Sequence, residues 1–117
     1  MKSAGSSPVV TIDVAHPPLS SDEAERRLDD ILRKAGLSGG TRVIRVIHGY
    51  GSGGKGGTLK TVVRNWAYSR RGKLALIIPG EEYSPFDPTI QKLLLEAGLS
   101  LSALGSSDSG TTLVFLP

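Results

Sequence analysis

The residues with most chemical promise run without a break from His48 through Gly49, Tyr50, Gly51, Ser52, Gly53, Gly54, Lys55 and Gly56 to Gly57. A histidine, a lysine and closely spaced glycines suit a turn that binds an anion. Backbone N–H groups at a helix start are unpaired and carry partial positive charge. Glycine lets such a backbone bend tightly and approach a ligand. Lys55 adds a full charge. The expected ligand is phosphate, and a nucleic-acid backbone presents phosphates in series. The competing expectation is a surface loop that binds nothing, which would be costly slack in so small a chain.

Two nucleotide motifs scan across the same stretch. Gly49, Gly54 and Lys55 match most of a P-loop, but Gly56 stands where Ser or Thr should hold Mg²⁺. Gly49, Gly51 and Gly54 fit G-x-G-x-x-G. The acidic residue that a dinucleotide site needs about 20 positions on would fall near Leu74, in a segment that has none. A dinucleotide site therefore stays a distant alternative.

The charge distribution supports a polyanion. The chain has 117 residues and a formal net charge of +3. Arg42, Arg45, Lys55, Lys60, Arg64, Arg70, Arg71 and Lys73 all lie between positions 42 and 73, with no acidic residue among them. The rest of the chain is net acidic. A concentrated positive segment that also contains the glycine loop points to a directed contact with a polyanion. The bland reading is a solvated basic face. There is no cysteine, which excludes disulfides, thiolate chemistry and Cys-ligated metal sites. No apolar run is long enough to span a bilayer and no apolar leader is visible, so a cytoplasmic protein with no membrane partner is expected.

The elements that must carry the loop follow from pattern. Residues 1–7 read as a flexible tail and 8–117 as a single domain. Pro8–Ala15 reads as a strand. Ser20 with Glu23 makes a capping box for a helix with a stripe of Ala24, Leu28, Ile31, Leu32 and Ala35, stopped by Gly36. Its outward face, Asp29 included, is expected to be solvated. Val43–Ile47 reads as an interior strand covered on both faces. Thr58 is expected to cap a second helix running to about Ser69, with Leu59, Val62, Val63 and Trp66 facing the core. Lys60, Arg64 and Arg71 lie on another side. Leu74–Ile78 reads as a third strand and Pro79–Pro85 as a loop. Asp87 and Pro88 start a third helix with Ile90, Leu93, Leu94 and Ala97 buried, a packing addition without assigned function. Thr111–Leu116 is the last strand. This order, β-α-β-α-β-(α)-β, indicates a compact two-layer α/β sandwich on a four-stranded mixed sheet whose early strands are parallel.

His48-Gly49-Tyr50-Gly51-Ser52-Gly53 resembles the H-G-x-G-x-G motif of Smr (small MutS-related) domains, found at the C-terminus of MutS2 proteins and as stand-alone proteins. The flanks agree: "VIRVI" before the loop, "TLKTVVRNWAYS" after it. Ile12-Asp13-Val14 resembles the start of the family's L-D-x-H motif, and "SGTTLVFL" its closing strand. The resemblance implies a fold like the C-terminal domain of bacterial translation initiation factor 3. It also implies binding of DNA or RNA, with endonuclease or nicking activity in DNA repair, recombination or RNA quality control, and for some members a divalent cation, Mg²⁺ or Mn²⁺. By carry-over, His48 and Asp13 are the candidate catalytic residues. The candidate nucleic-acid contacts are Gly49, Tyr50, Gly51, Gly53, Lys55, Lys60, Arg64 and Arg71. The metal ligands are unknown.

This chain departs from the first motif. Ala15 stands where the family has histidine, and His16 comes one position later. Strand side chains alternate faces, so the one-residue slip is expected to point His16 away from the position it would replace. Phosphodiester hydrolysis needs a base for water and charge stabilisation on the phosphoryl oxygens. His48 can act as base or acid, or it can fix the loop through hydrogen bonds. Asp13 can orient a histidine, hold a metal, cap a turn, or pair with Arg45 or Lys55. Tyr50 is positioned to stack on a base; Trp66 belongs to the core stripe. The altered first motif favours a non-catalytic phosphate-backbone-binding module as the alternative to an endonuclease.

Overall fold

The computed structural model describes residues 8–49, 55–100, 102–105 and 107–117, with the backbone alone at 55–57. The expected tail at 1–7 and the loop positions Tyr50, Gly51 and Gly53 lie outside the described residues, as does the Lys55 side chain.

Among the described residues four strands and three helices alternate as the pattern predicts: β1 (Val9–Asp13), α1 (Ser21–Ser38), β2 (Val43–Ile47), α2 (Lys55–Ser69), β3 (Leu76–Pro79), α3 (Pro88–Glu96) and β4 (Thr111–Phe115). They form one mixed sheet in the order β1-β2-β4-β3. β1 and β2 are parallel, and β4 runs antiparallel to both β2 and β3. The β-branched β2 is thus interior, as expected.

Alternation along each strand sorts the side chains into two faces. Ile44, Val46 and Val114 join Ala24 and Leu28 of α1 and Leu59, Val63 and Trp66 of α2 in one core. Val43, Leu113, Phe115 and Ile78 face the other way and pack with Ile90 and Leu94 of α3. α3 is therefore a packing element, as expected. That second face is covered only in part: Arg45 and Ile47 of β2 remain half-buried. The expectation of full cover on both faces of β2 holds for Val43 and fails toward its C-terminal end.

Several boundaries differ from expectation for local reasons. Ser20 caps α1 by accepting from the Glu23 N–H, while the Glu23 carboxylate turns to Arg26 and Arg27. Gly36 does not stop the helix. α1 continues to Ser38 and ends at Gly39, whose φ of 73° supplies the left-handed cap. α2 begins at Lys55, three residues before the expected cap at Thr58, so Lys55 sits on the first turn and not within the loop. Asp29 is more than solvated. Its carboxylate accepts from Trp66 Nε1 at 2.8 Å and pairs with Arg70, which ties α1 to the end of α2. β3 starts two residues later than expected, at Leu76. The segment after it contains a short 3-10 turn at Gly80–Glu82.

Candidate nucleic-acid interface

The chain turns sharply after β1. The Asp13 Oδ1 accepts the backbone N–H of Ala15 at 2.8 Å and of His16 at 3.1 Å. A short acceptor placed this way competes with the sheet ladder for those amides, and the strand ends at Asp13. Alternation therefore does not extend to residue 16. The His16 Nδ1 lies 2.8 Å from Asp13 Oδ2 and 3.0 Å from Oδ1. The expectation that His16 points away is corrected: its ring sits on the Asp13 carboxylate. Among the described side chains Asp13 pairs with His16 and not with the expected Arg45; the other expected partner, the Lys55 side chain, lies outside the described residues.

A carboxylate only accepts, so Nδ1 carries the proton and the nitrogen not held by Asp13 is Nε2. Burial raises the Asp13 pKa. The hydrogen bonds from the Ala15 N–H, the His16 ring and the His16 N–H outweigh it and hold the carboxyl below its usual range. Asp13 is ionised at neutral pH and fixes the imidazole.

His16 lines a cleft of about 330 Å³ with Arg45, Ile47, Gly49, Asp108 and Thr111. The cleft lies at the C-terminal ends of β1 and β2, beside the start of the glycine loop. The Arg45 Nε is buried and makes no hydrogen bond among the described residues. Its guanidinium brings positive charge to the cleft wall, which Asp108 also lines. Sequence reasoning missed His16, Arg45 and Asp108 here. Asp13 and Ile47 stand abreast in the sheet, and Ile47 faces Thr111; that register needed the strand pairing.

His48 occupies the opposite face of the same strand end. It is fully enclosed, at 0% exposure. Its Nδ1 donates to the Gly49 carbonyl at 3.0 Å, and its Nε2 lies 2.8 Å from Thr112 Oγ1. With the proton on Nδ1, the Thr112 hydroxyl donates to Nε2. The same hydroxyl oxygen accepts from Arg64 Nε at 3.0 Å. Arg64 in turn grips Glu81 at 2.7 and 3.1 Å and the Thr111 carbonyl at 3.2 Å. A continuous chain, His48–Thr112–Arg64–Glu81, crosses from the loop entrance to the surface. Burial pushes the His48 pKa below its ordinary value, and the Arg64 and Lys60 charges act the same way against the Gly49 and Thr111 carbonyls. The ring is neutral at pH 7.

The loop entrance is fixed by the backbone. The Gly110 carbonyl accepts from both His48 N–H and Gly49 N–H, at 2.9 and 3.1 Å. Gly49 has φ 84°, a conformation costly for any residue with a Cβ. Its own N–H is thus spent on Gly110, so Gly49 supplies shape at the cleft wall. Lys60 lies on α2 near this network, close enough for its charge to act on His48 and Glu81. Arg71 sits at the far end of α2, in a 3-10 turn at Arg71–Lys73.

A protein-held divalent site does not fit these residues. Asp13 Oδ1 already takes two amides, and both its oxygens face the His16 ring. Among the described residues no group of three His, Asp or Glu side chains converges.

A mixed four-stranded α/β sheet with a glycine loop leaving an interior strand defines the class. The Smr domain family model matches residues 17–83, more than half of the chain, and the chain belongs to that family. The match begins one residue after His16. The fold is similar to the crystal structure of the Smr domain of Thermus thermophilus MutS2, with a TM-score of 0.53 and 20% identity over 93% of this chain and 96% of that one. At that identity the likeness concerns the fold. A comparison with curated proteins gives no match. No helix among the described residues is long and apolar enough to cross a membrane.

Proposed function

We propose that this Smr domain binds nucleic acid through its phosphate backbone and hydrolyses a phosphodiester in the Asp13–His16 cleft. The observation that carries this reading is the Asp13 carboxylate held on His16 Nδ1 in a cleft that also contains the Arg45 guanidinium. A carboxylate that fixes an imidazole by one nitrogen leaves the other to take a proton. His16 Nε2 accepts the proton of a water whose oxygen bonds to phosphorus, and Asp13 stabilises the imidazolium that forms. Arg45 meets the charge that develops on the phosphoryl oxygens, and the P–O bond to the leaving oxygen breaks with that oxygen taking a proton from solvent. In this reading His16 takes over, by a one-residue shift, the place that Ala15 has left empty. His48 acts on the loop as a positioning residue, and Asp13 keeps the role expected of it. Lys60, Arg71 and Lys73, the basic residues of α2 and its end that no carboxylate pairs with among the described contacts, supply affinity without sequence reading.

The test incubates the protein with supercoiled plasmid and with structured RNA, with and without Mg²⁺ or Mn²⁺. Cleavage is expected to fall by roughly 10²–10⁴ in His16→Ala, with nucleic-acid binding retained. Asp13→Asn keeps an oxygen for the Ala15 amide and removes the charge, so it is expected to lose cleavage with the turn intact. Cleavage that persists in both variants sinks the proposal.

A second reading, a binding module without hydrolysis, is favoured by one observation: His48, the motif histidine, is enclosed and both its nitrogens are engaged. Salt-sensitive binding without cleavage of either substrate is its expected signature.

A further inference from the structure

We propose that Tyr68 is a stacking platform for an unpaired base, at the far end of the α2 surface from the glycine loop. The inference rests on the nucleic-acid-binding reading above and names the form of nucleic acid that the surface takes.

Tyr68 lies in the last turns of α2. Its neighbours Trp66 and Ala67 turn inward and are buried, whereas Tyr68 is 62% exposed. A single exposed aromatic is ordinary on a protein surface. What sets this one apart is Arg71, whose guanidinium carbon sits 4.0 Å from the centre of the Tyr68 ring. The same guanidinium donates from Nη1 to the Tyr68 carbonyl at 2.9 Å, which holds it in place. One face of the ring is thus backed by a fixed cation, and the exposure of the residue lies on its remaining surface. A π-face backed by a guanidinium suits a nucleobase, which stacks on tyrosine whatever its sequence.

The approach to the ring is cationic. Lys60, Arg64 and Tyr68 recur every fourth residue, so they line successive turns over about 12 Å. Arg64 is neutralised by Glu81 and Arg70 by Asp29. The stripe therefore keeps charge at its two ends: Lys60, whose charge reaches His48 at the loop entrance, and Arg71 over the ring. A strand whose phosphates run from Lys60 toward Arg71 brings a base to Tyr68. In a duplex the base faces are stacked on one another and do not reach an exposed side chain. The surface is accordingly selective for single-stranded or locally unpaired nucleic acid.

The experiment measures fluorescence anisotropy of a labelled single-stranded oligonucleotide and of a duplex of equal length, for wild type, Tyr68→Ala, Tyr68→Phe and Lys60→Ala. Tyr68→Ala is expected to weaken single-strand binding roughly tenfold and to leave duplex binding unchanged. Tyr68→Phe keeps the ring and is expected to bind as wild type does. If Tyr68→Ala leaves single-strand binding intact while Lys60→Ala weakens it, the platform is overturned and the nucleic-acid reading stands. Equal losses on both substrates also overturn it, because they report only a displaced Arg71 charge. If wild type binds neither oligonucleotide, the function proposed above fails first, and this inference with it.

Discussion

His48 and Thr112, 64 residues apart, share a 2.8 Å hydrogen bond in the interior, with the threonine hydroxyl donating to the imidazole Nε2. The hydroxyl oxygen also receives Arg64 Nε, so one threonine joins the loop entrance to α2. Thr112→Val keeps the shape and leaves both partners unsatisfied. It is expected to lower unfolding free energy by about 1–3 kcal/mol. His48→Ala adds a cavity and is expected to cost about 2–5 kcal/mol. Urea unfolding measures both; a His48→Ala protein as stable as wild type would refute the structural role.

The enclosed imidazole makes stability depend on pH. Its folded pKa lies below the ordinary 6.5, so the unfolded chain binds the proton more readily. Stability from this group is complete above about pH 6.5 and falls as pH drops below that value. Thermal midpoints across that range are expected to decline on the acid side in wild type. His48→Gln is expected to flatten the slope.

Arg64 was expected to meet phosphate, yet its guanidinium is occupied by Glu81, Thr111 and Thr112. Arg64→Ala is therefore expected to lower the melting temperature. Lys60→Ala is expected to leave stability unchanged and reduce the salt slope of binding by about one. A reversed pattern in parallel melting and salt titrations would restore Arg64 to the phosphate contacts.

The Arg64 pair also sets an acid limit. Its hydrogen bond holds the Glu81 pKa at about 2, against an ordinary 4.5. A depressed carboxylate contributes stability above its unfolded pKa and loses it as pH falls from about 4.5 toward 2. Glu81→Gln is expected to reduce the acid sensitivity of the melting temperature in that window. The pair is partly exposed, so the effect is small and weakens with salt.

Gly80 places Glu81. A Cβ built there overlaps the Asp108 carbonyl oxygen and the Thr111 hydroxyl. Gly80→Ala is expected to destabilise the fold by about 1–3 kcal/mol and to displace Glu81 from Arg64. A crystal structure or an unfolding curve of the variant checks this. An unchanged curve would mean that the turn yields freely.

The periodic parts of this chain were decided by the sequence. β-branched Val43–Ile47, the α1 stripe of Ala24 and Leu28, and the Asp87–Pro88 cap each act through neighbours a few positions away, so spacing alone reveals them. The glycine loop with His48 at its entrance was enough to place the chain among Smr domains. What spacing could not decide is which side chains end up bonded to one another. Arg64 meets Glu81 and Thr112 because α2 packs over β4 and β4 also holds the Gly80–Glu82 turn, contacts set by sheet order. His48 is sealed because the antiparallel pairing of β2 with β4 brings Thr112 to it. The Asp13–His16 pair is local and was still missed. Alternation presumes that a strand continues, and here the Asp13 side chain takes the Ala15 and His16 amides and ends it.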